Sequence, residues 1–390
     1  MAKKSTSTPD HIALVLQGGG ALGAYQAGVY QGMDEAGVVP NWLAGISIGA
    51  FNAALIAGNP KGQRTAALRA FWDTVAQPNG PWPSGLGMPT QLRGLHGPAR
   101  ALLDTWEAWR ALTEGQRGFF HPRTAWTTIE SGASLLAGGP TTASWYDTRP
   151  MLSTLDRLVD FDRINHGETR LSVGAVNVAT GNLEYFDNTR MRLDARHILA
   201  SGALPPAFPA VEIDGQFYWD GGLVSNTPLS RVLGDTERGD SLIFQVDLWP
   251  AHGHPPQDLL EVAERINDIR YSSRTRLISD MQRRDQHYRR LLRELLQEIP
   301  PAKRKANPWV RHAAELACHD RVSLIHLIYR ERACVGHFKD YQFGALTLDE
   351  HWQCGQADIA RALAHPEWLQ LPVGEDSFVV HDATAVTATT

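Results

Sequence analysis

Short apolar runs, helical patterns and glycine-bounded turns alternate along the first part of the chain. Ile12–Leu16 is a continuous apolar run that ends at Gln17 and three glycines, a pattern typical of a strand buried on both faces. Residues 21–37 then show a helical pattern, 41–44 form a short second segment, and Phe51–Ala57 again favours a helix. Strand, helix, short strand and helix in this order predict an α/β sheet.

Sheet patterns return further along the chain. Leu171–Val178 and Leu183–Phe186 are separated by Ala-Thr-Gly-Asn, which favours a hairpin. A second hairpin is predicted over Val211–Trp219, with Asp-Gly at its tip, and Ser241–Leu248 has the composition of a buried strand. We therefore expect an α/β domain over residues 10–250.

Residues 77–145 interrupt this pattern. The stretch 77–100 is dense in Gly, Pro and Trp, which predicts an excursion over the surface. Helical residues follow at 100–113, and a second glycine-rich loop includes Gly138, Gly139 and Pro140. Two interpretations remain open, a lid over a functional site or a loop without function.

Beyond Asp258 the pattern changes to a long helical period, which predicts a helical C-terminal extension over 251–375 and a flexible tail over 376–390. Within 258–299, arginines crowd the positions between the apolar ones. The segment is either a helix packed on the core through its apolar stripe or a basic amphipathic face that meets an anionic membrane surface. The apolar positions are Leu259, Val262, Ile266, Ile269, Leu277, Met281, Tyr288, Leu291, Leu295 and Ile299.

Composition narrows the class of protein. Of the 390 residues, 43% are hydrophobic and 20% charged, which is ordinary globular usage, and the net charge of −5 argues against a nucleic-acid partner. The three cysteines, Cys318, Cys334 and Cys354, lie far apart, which excludes a disulfide scaffold and a zinc ribbon and fits a reducing cytoplasm. Since no signal peptide and no stretch of ~20 apolar residues is visible, we expect a cytoplasmic protein without a membrane span.

The segment Gly45-Ile46-Ser47-Ile48-Gly49 is a G-x-S-x-G motif with a helical pattern directly behind it. A serine on a sharp strand-to-helix turn projects its Oγ outward, and the glycines at Gly45 and Gly49 avoid a clash within the turn. The helix N-terminus supplies amide donors and a dipole that favours developing negative charge. Ser47 is therefore a candidate nucleophile.

The earlier turn, Gly18–Gly23, matches G-x-G-x-x-G, as in a dinucleotide site. A ribose-binding carboxylate about 20 residues on is expected for such a site, but Pro40–Ala44 offers none. A run of bare backbone N–H groups at a helix N-terminus suits an oxyanion hole better. The candidate oxyanion-hole residues are Gly18, Gly19, Gly20, Ala21, Leu22 and Gly23. A nicotinamide-dependent oxidoreductase is kept as an alternative.

A serine nucleophile needs a base. Histidines are plentiful downstream, but none lies in a glycine-marked loop of the kind that holds a catalytic histidine. Asp220, followed by Gly221 and Gly222, comes at the end of a predicted hairpin strand in an aromatic setting. This Asp-Gly-Gly motif is either a simple turn or the carboxylate partner of Ser47.

Taken together, the glycine run, the G-x-S-x-G motif and the Asp-Gly-Gly motif resemble the patatin-like phospholipase family. They occur in the order of the family and cover about residues 10–250, and the remainder resembles the C-terminal extension of unknown role in some bacterial members. The resemblance implies a three-layer α/β core with a central, mostly parallel sheet. The blocks that carry it are Gly18–Gly23, Ala24–Gly28, Gly45–Ala50, Ala200–Pro205, Asp220–Gly222 and Ser225–Pro228.

The resemblance also implies a site. Ser47 would be the nucleophile, Asp220 its base, and the amides of Gly19, Gly20 and Ala21 the oxyanion hole, with no cofactor and no metal. Such a carboxylate is basic enough only if it is partly desolvated. The implied substrate is a lipid acyl ester, first of all a phospholipid or lysophospholipid.

The chain departs from the family pattern at Leu22, and two further functions are kept as alternatives. Many family members have Arg or Lys where this chain has Leu22, a change that favours a neutral or non-phospholipid ester. One alternative is an esterase that acts on short hydroxyacyl or storage-polyester oligomers. The other is a non-catalytic lipid-surface scaffold of the same fold, although a binding module has no need of Ser47 and Asp220.

Overall fold

The computed structural model describes residues 8–76, 97–123, 139–235, 239–317, 320–330, 339–373 and 377–383. Its strands are β1 (His11–Leu16), β2 (Trp42–Ile46), β3 (His121–Pro122), β4 (Tyr146–Asp147), β5 (Arg170–Asn177), β6 (Leu183–Asp187), β7 (Val211–Ile213), β8 (Gln216–Asp220), β9 (Ser241–Asp247), β10 (Val322–Ile328) and β11 (Phe378–Asp382).

The α-helices are α1 (Gly23–Glu35), α2 (Ile48–Ala57), α3 (Arg64–Val75), α4 (Pro98–Glu114), α5 (Arg149–Leu158), α6 (Phe161–His166), α7 (Ala195–Ser201), α8 (Leu229–Leu233), α9 (Leu259–Gln297), α10 (Pro301–Ala306), α11 (Pro308–Leu316) and α12 (Ala345–Leu363). Short 3-10 helices cover Gly20–Leu22, Lys61–Gln63, Gly221–Leu223, Lys339–Tyr341 and Pro366–Leu369.

A central sheet organises these elements. Its strand order is β11-β10-β9-β1-β2-β5-β8-β7, and β6 also pairs with β5. The pairs from β11 through to β5 are parallel, whereas β6, β7 and β8 run antiparallel to their partners. The mostly parallel sheet confirms the predicted α/β class, and both predicted hairpins are present as β5–β6 and β7–β8.

The side chains of β1 show why the sheet is covered on both faces. Leu14 and Leu16 belong to the larger core, together with residues of α1, α2, α3 and α12. Ala13 and Val15 point into a second core on the opposite face, which includes Leu229 of α8. Because successive side chains of a strand alternate between faces, an uninterrupted apolar run requires a layer on each side. The three-layer arrangement is thereby confirmed.

The C-terminal region is mainly helical, as expected, but it also completes the sheet. β10 pairs with β9 and β11 pairs with β10, both in parallel, so the sheet continues beyond residue 250. α12 packs on α1, where Trp352 Nε1 donates to Gln31 Oε1 at 2.6 Å. Residues 376–390 were predicted to be a tail, whereas residues 378–382 form β11, because β10 offers them a free strand edge.

The apolar stripe of the long helix α9 does not pack on the core, so the first of the two predictions for this segment is wrong. The apolar side chains that would have packed on the core are exposed, with Leu259 86%, Leu277 62% and Leu295 65% accessible. The buried side of the helix is mostly polar: Asp268, Ser272 and Gln286 are buried there, together with Leu296. Asp268 and Gln286 contact the domain by polar bonds, which include a bond of 2.7 Å from Gln286 Nε2 to the Asp320 carbonyl oxygen.

The sheet brings the two glycine-rich turns together. β1 and β2 are parallel neighbours, with Leu16 opposite Gly45, so the loops that follow them leave the same edge of the sheet. The carboxyl edge of parallel strands is the usual place for a site in α/β proteins.

Candidate functional site

Ser47 occupies the sharp turn between β2 and α2. Its backbone has φ 53° and ψ −127°, a left-handed conformation that non-glycine residues rarely adopt. A Cβ on Gly49 would lie 2.3 Å from the Leu16 carbonyl oxygen, and one on Gly45 would lie 2.4 Å from the carbonyl oxygen of Gly49. Both glycines are thus required by close backbone packing, in agreement with the predicted turn.

Ser201 holds the backbone of this turn. The Ser47 N–H donates to Ser201 Oγ at 2.9 Å, and Ser201 Oγ donates in turn to the Gly174 carbonyl oxygen at 2.7 Å. Ser201 is fully buried at the end of α7. Ser201 lies within the family-like block Ala200–Pro205, in which no sequence motif assigns it a role, because only the fold brings α7 against α2 and β5.

Asp220 lies beside Ser47, at the end of β8. Its carboxylate is 3% exposed and accepts a hydrogen bond of 2.7 Å from the Gly222 N–H at Oδ1. Burial raises the pKa of Asp220 to about 7. Interactions of the Gly222 N–H and the Ser47 hydroxyl with the carboxylate lower this pKa and offset part of the effect of burial. The two residues singled out from separate motifs therefore meet in the structure.

The glycine run divides into two parts. Gly18, Gly19 and Gly20 line the pocket that contains Ser47. Ala21 and Leu22 are fully buried, so their side chains do not reach the pocket. Gly23 begins α1 and also lies outside the lining, in contact with Ile48, which lines the pocket next to Ser47.

Residues to which no sequence motif assigns a role fix the turn that carries Gly18 to Gly20. The carbonyl oxygen of Gly18 accepts bonds of 2.8 Å from Asn226 Nδ2 and from Trp249 Nε1. Gln17 Oε1 accepts from the Leu248 N–H at 2.6 Å. These bonds fix the direction of the following amides, a condition for electrostatic stabilisation of an oxyanion.

The pocket around Ser47 has a volume of about 650 Å³, part of it open to solvent, and its wall includes seven aromatic residues. Four of its lining residues come from the C-terminal region and were not predicted. Besides Gly18, Gly19, Gly20, Ser47 and Asp220, the lining consists of Ile48, Phe119, Phe120, Gly202, Leu204, Phe208, Gly222, Asn226, Trp249, Tyr271, Asp340, Tyr341 and Phe343. Of the predicted lid, 77–96 and 124–138 lie outside the described residues, whereas Phe119 and Phe120 form part of this wall.

The chemistry available at the pocket is that of a hydroxyl, carboxyl groups and backbone amides. Within the described part of the chain, no three or more His, Cys, Asp or Glu residues are grouped to hold a metal ion. No helix of the described residues is long and apolar enough to cross a membrane. A hydroxyl beside a buried carboxylate, next to a turn of backbone N–H groups, is an arrangement that can support acyl transfer.

Comparison with known families agrees with this fold. The family model described as "Patatin-like phospholipase" matches residues 14–233, more than half of the chain, and a second model, "Patatin phospholipase", matches 269–375. The chain belongs to the patatin-like phospholipase family.

Characterised relatives match only short stretches. The "Patatin-like phospholipase domain-containing protein 6" of Homo sapiens and that of Mus musculus are each 43% identical over 65 residues, which is 17% of this chain and 5% of theirs. The "Lysophospholipase nte1" of Aspergillus terreus is 52% identical over 46 residues, 12% of this chain and 3% of its own. This chain therefore spans a small fraction of the length of these relatives.

Two bacterial proteins of known structure are also similar. VipD from Legionella pneumophila is 17% identical, with 90% of this chain and 68% of that chain covered, at a TM-score of 0.32. ExoU from Pseudomonas aeruginosa, solved with SpcU, is 18% identical, with 68% and 50% covered, at a TM-score of 0.26. Scores this low support no conclusion about this chain.

Proposed function

We propose that this chain is a serine acyl hydrolase that cleaves lipid acyl esters, with Ser47 as nucleophile and Asp220 as its base. The observation that carries the proposal is the buried Asp220 carboxylate beside the Ser47 hydroxyl, in a pocket with a largely apolar wall. A carboxylate with a pKa of about 7 is a much stronger base than an exposed one, and at neutral pH about half of it is still deprotonated.

In the proposed reaction, Ser47 Oγ attacks the ester carbonyl carbon while Asp220 accepts the hydroxyl proton. The carbonyl oxygen becomes an oxyanion next to the amides of Gly19, Gly20 and Ala21. The C–O bond to the alcohol then breaks, and the leaving oxygen takes the proton from Asp220, which leaves an acyl-enzyme. Water, deprotonated by Asp220, releases the fatty acid and restores Ser47.

Labelling with a fluorophosphonate serine probe, mapped by peptide mass spectrometry, tests this proposal. We expect a label on Ser47 that is absent in Ser47→Ala and falls at least tenfold in Asp220→Asn, while the exposed-serine control Ser153→Ala labels like wild type. No label on folded protein, even with detergent or liposomes, would favour the scaffold alternative. Release of alcohol from 3-hydroxybutyrate oligomers but not from fatty acyl esters would favour the short-chain esterase.

We further propose that α9 contacts an anionic lipid surface. The exposed apolar residues recur along one side of this helix, for example at Leu277, Tyr288 and Leu291. Residues 259–316 contain 13 Arg or Lys and 8 Asp or Glu, a net charge of +5 in a chain whose net charge is −5. An exposed apolar stripe within a basic segment fits an anionic bilayer better than a neutral one.

Other groups on and beside α9 support this orientation. Trp309, 81% exposed, lies on α11, which packs against α9. On its other side, α9 contributes Tyr271 to the pocket wall. A lipid surface at the stripe would therefore lie one helix away from Ser47.

Co-sedimentation with vesicles tests the contact. We expect binding to vesicles of phosphatidylglycerol at low salt, weak binding to phosphatidylcholine, and release as the salt is raised. Leu277→Glu should weaken binding at least tenfold, whereas Gln297→Glu, which adds the same charge at another exposed position of α9, should have a much smaller effect. Failure to bind anionic vesicles at low salt would refute the contact.

A further inference from the structure

The C-terminal region places a carboxyl group at the glycine turn. In the 3-10 helix Lys339–Tyr341, the Asp340 carbonyl oxygen would lie 2.2 Å and the Asp340 Cβ 3.3 Å from a Cβ on Gly20, which has φ 57°. Only a residue without a side chain fits at Gly20, and the Asp340 side chain starts directly beside this turn. Asp340 also lines the pocket that contains Ser47.

This segment is clamped on its other side. Lys339 is 1% exposed, and its Nζ donates to Asp268 Oδ1 of α9 at 2.7 Å. The same ammonium lies 5.2 Å from the centre of the Trp249 ring, whose Nε1 binds the Gly18 carbonyl oxygen. Asp340 is therefore held between α9 and the glycine turn, not on a loose surface loop.

The charged side chains of the pocket wall are all acidic. Among the described residues that line the pocket, Asp220 and Asp340 are the charged ones, and none is Lys, Arg or His. The nearest cation of the segment, Lys339, is paired with Asp268 away from the lining. Leu22, in the same glycine run, is a fully buried apolar side chain.

Burial raises the pKa of Asp340 to about 6, and the Lys339 charge counteracts part of this shift. At pH 7.5 the carboxyl group is therefore mostly ionised. Its negative charge repels any second anion brought to the same pocket, and its oxygens can accept hydrogen bonds from hydroxyl groups.

We infer that Asp340 is a specificity-determining residue that selects neutral, hydroxyl-bearing lipid esters, such as monoacylglycerols, over esters with an anionic phosphate near the scissile carbonyl. The inference rests on the proposed hydrolase function and narrows its substrate class. It is compatible with an anionic bilayer at α9, because the surface that binds the protein and the ester that enters the pocket are different molecules.

The test compares 1-oleoylglycerol with 1-oleoyl-lysophosphatidic acid, which release the same fatty acid. Both are supplied at the same low mole fraction in micelles of a neutral detergent. For two unit charges about 8 Å apart at an effective dielectric constant of about 20, Coulomb's law corresponds to a roughly 30-fold difference in rate. We expect wild type to prefer the neutral ester by at least that factor.

Asp340→Asn should raise the ratio of kcat/KM for the anionic ester to kcat/KM for the neutral ester about 10- to 30-fold, because it removes the negative charge from the pocket wall. Asp349→Asn, the control, removes the same charge from an exposed position on α12 and should leave the ratio unchanged. Equal turnover of both esters by wild type would overturn the inference, as would equal loss of both in Asp340→Asn.

Labelling of Ser47 separates this inference from the proposed function. A protein that labels at Ser47 but hydrolyses neither ester would refute the substrate class and leave the nucleophile intact. A protein that does not label at Ser47 would refute both.

Discussion

Replacing Asp220 by Asn should make the protein inactive and, at alkaline pH, more stable. The carboxylate is buried and its pKa is raised to about 7, so the folded state disfavours its charged form relative to the unfolded state. A group of this kind destabilises the fold as the pH rises from about 4 to about 7, and its full effect is present above that range. Asn removes the charge and still has an oxygen that can accept the bond from the Gly222 N–H.

The magnitude follows from the shift. With a usual pKa of 3.8 and a folded pKa of about 7, the destabilisation is about 2 kcal/mol at pH 5 and about 4 kcal/mol at pH 8. For a chain of 390 residues, about 4 kcal/mol corresponds to a change in Tm of about 5 °C. The Tm of Asp220→Asn should therefore exceed that of wild type by about 5 °C at pH 8 and by about half as much at pH 5.

Thermal unfolding and ester hydrolysis, measured between pH 5 and pH 9, test this prediction together. Wild-type kcat/KM should rise with pH around an apparent pKa of about 7, since only the deprotonated carboxylate is a base. Ser47→Ala is the matched control, because it removes activity but keeps the buried charge and should not show the gain in Tm. An Asp220→Asn protein that is less stable than wild type at pH 8 would refute the reasoning.

Two further predictions concern Gly20 in the pocket wall and the buried ion pair of Lys339 behind it. Gly20→Ala should lower kcat/KM at least tenfold, because the added Cβ would lie 2.2 Å from the Asp340 carbonyl oxygen in the pocket wall. Gly62→Ala is the control and should be active, since no atom lies within 4 Å of its Cβ. Full activity of Gly20→Ala would contradict the close packing at Gly20. Lys339→Met should lower stability by about 1.5–3 kcal/mol, measured as a fall in Tm, because it removes the charge-assisted bond of 2.7 Å to the buried Asp268 carboxylate, which then has only Arg265 at 3.6 Å as an ion-pair partner. Arg192→Met, which breaks an exposed pair, should cost less than about 1 kcal/mol, and equal effects of the two would show that burial does not matter.

The parts of the site that depend on local geometry were predictable. The turn at Ser47 needs glycines at fixed spacing because its neighbours in sequence are also its neighbours in space. The strand before this turn and the hairpin tip at Asp214 and Gly215 also depend only on neighbours in sequence. Asp214 and Gly215 both have the positive φ that an Asp-Gly turn favours. Motif order then suggested Asp220 as the partner, although its distance from Ser47 in the sequence is large.

The orientation of α9 illustrates a different limit. Helical periodicity shows that an apolar stripe exists, but it does not say whether the stripe faces the protein or the solvent. In the structure the answer depends on Asp268 and Gln286, whose partners Lys339 and Asp320 are distant in sequence. These polar bonds, with the packing of Tyr271 on the core, hold the helix with its apolar stripe exposed.

By itself, the sequence determined the α/β class, the turn at Ser47, the glycine run and the Asp-Gly-Gly turn, because each depends on residues within one short segment. Only the tertiary structure decided that β10 and β11 complete the sheet and that Tyr271 and Asp340 close the pocket. Apolar runs as short as β10 and β11 do not reveal which strand they will join. Contacts between residues more than 200 positions apart are set by the packing of the whole domain, and no local pattern records them.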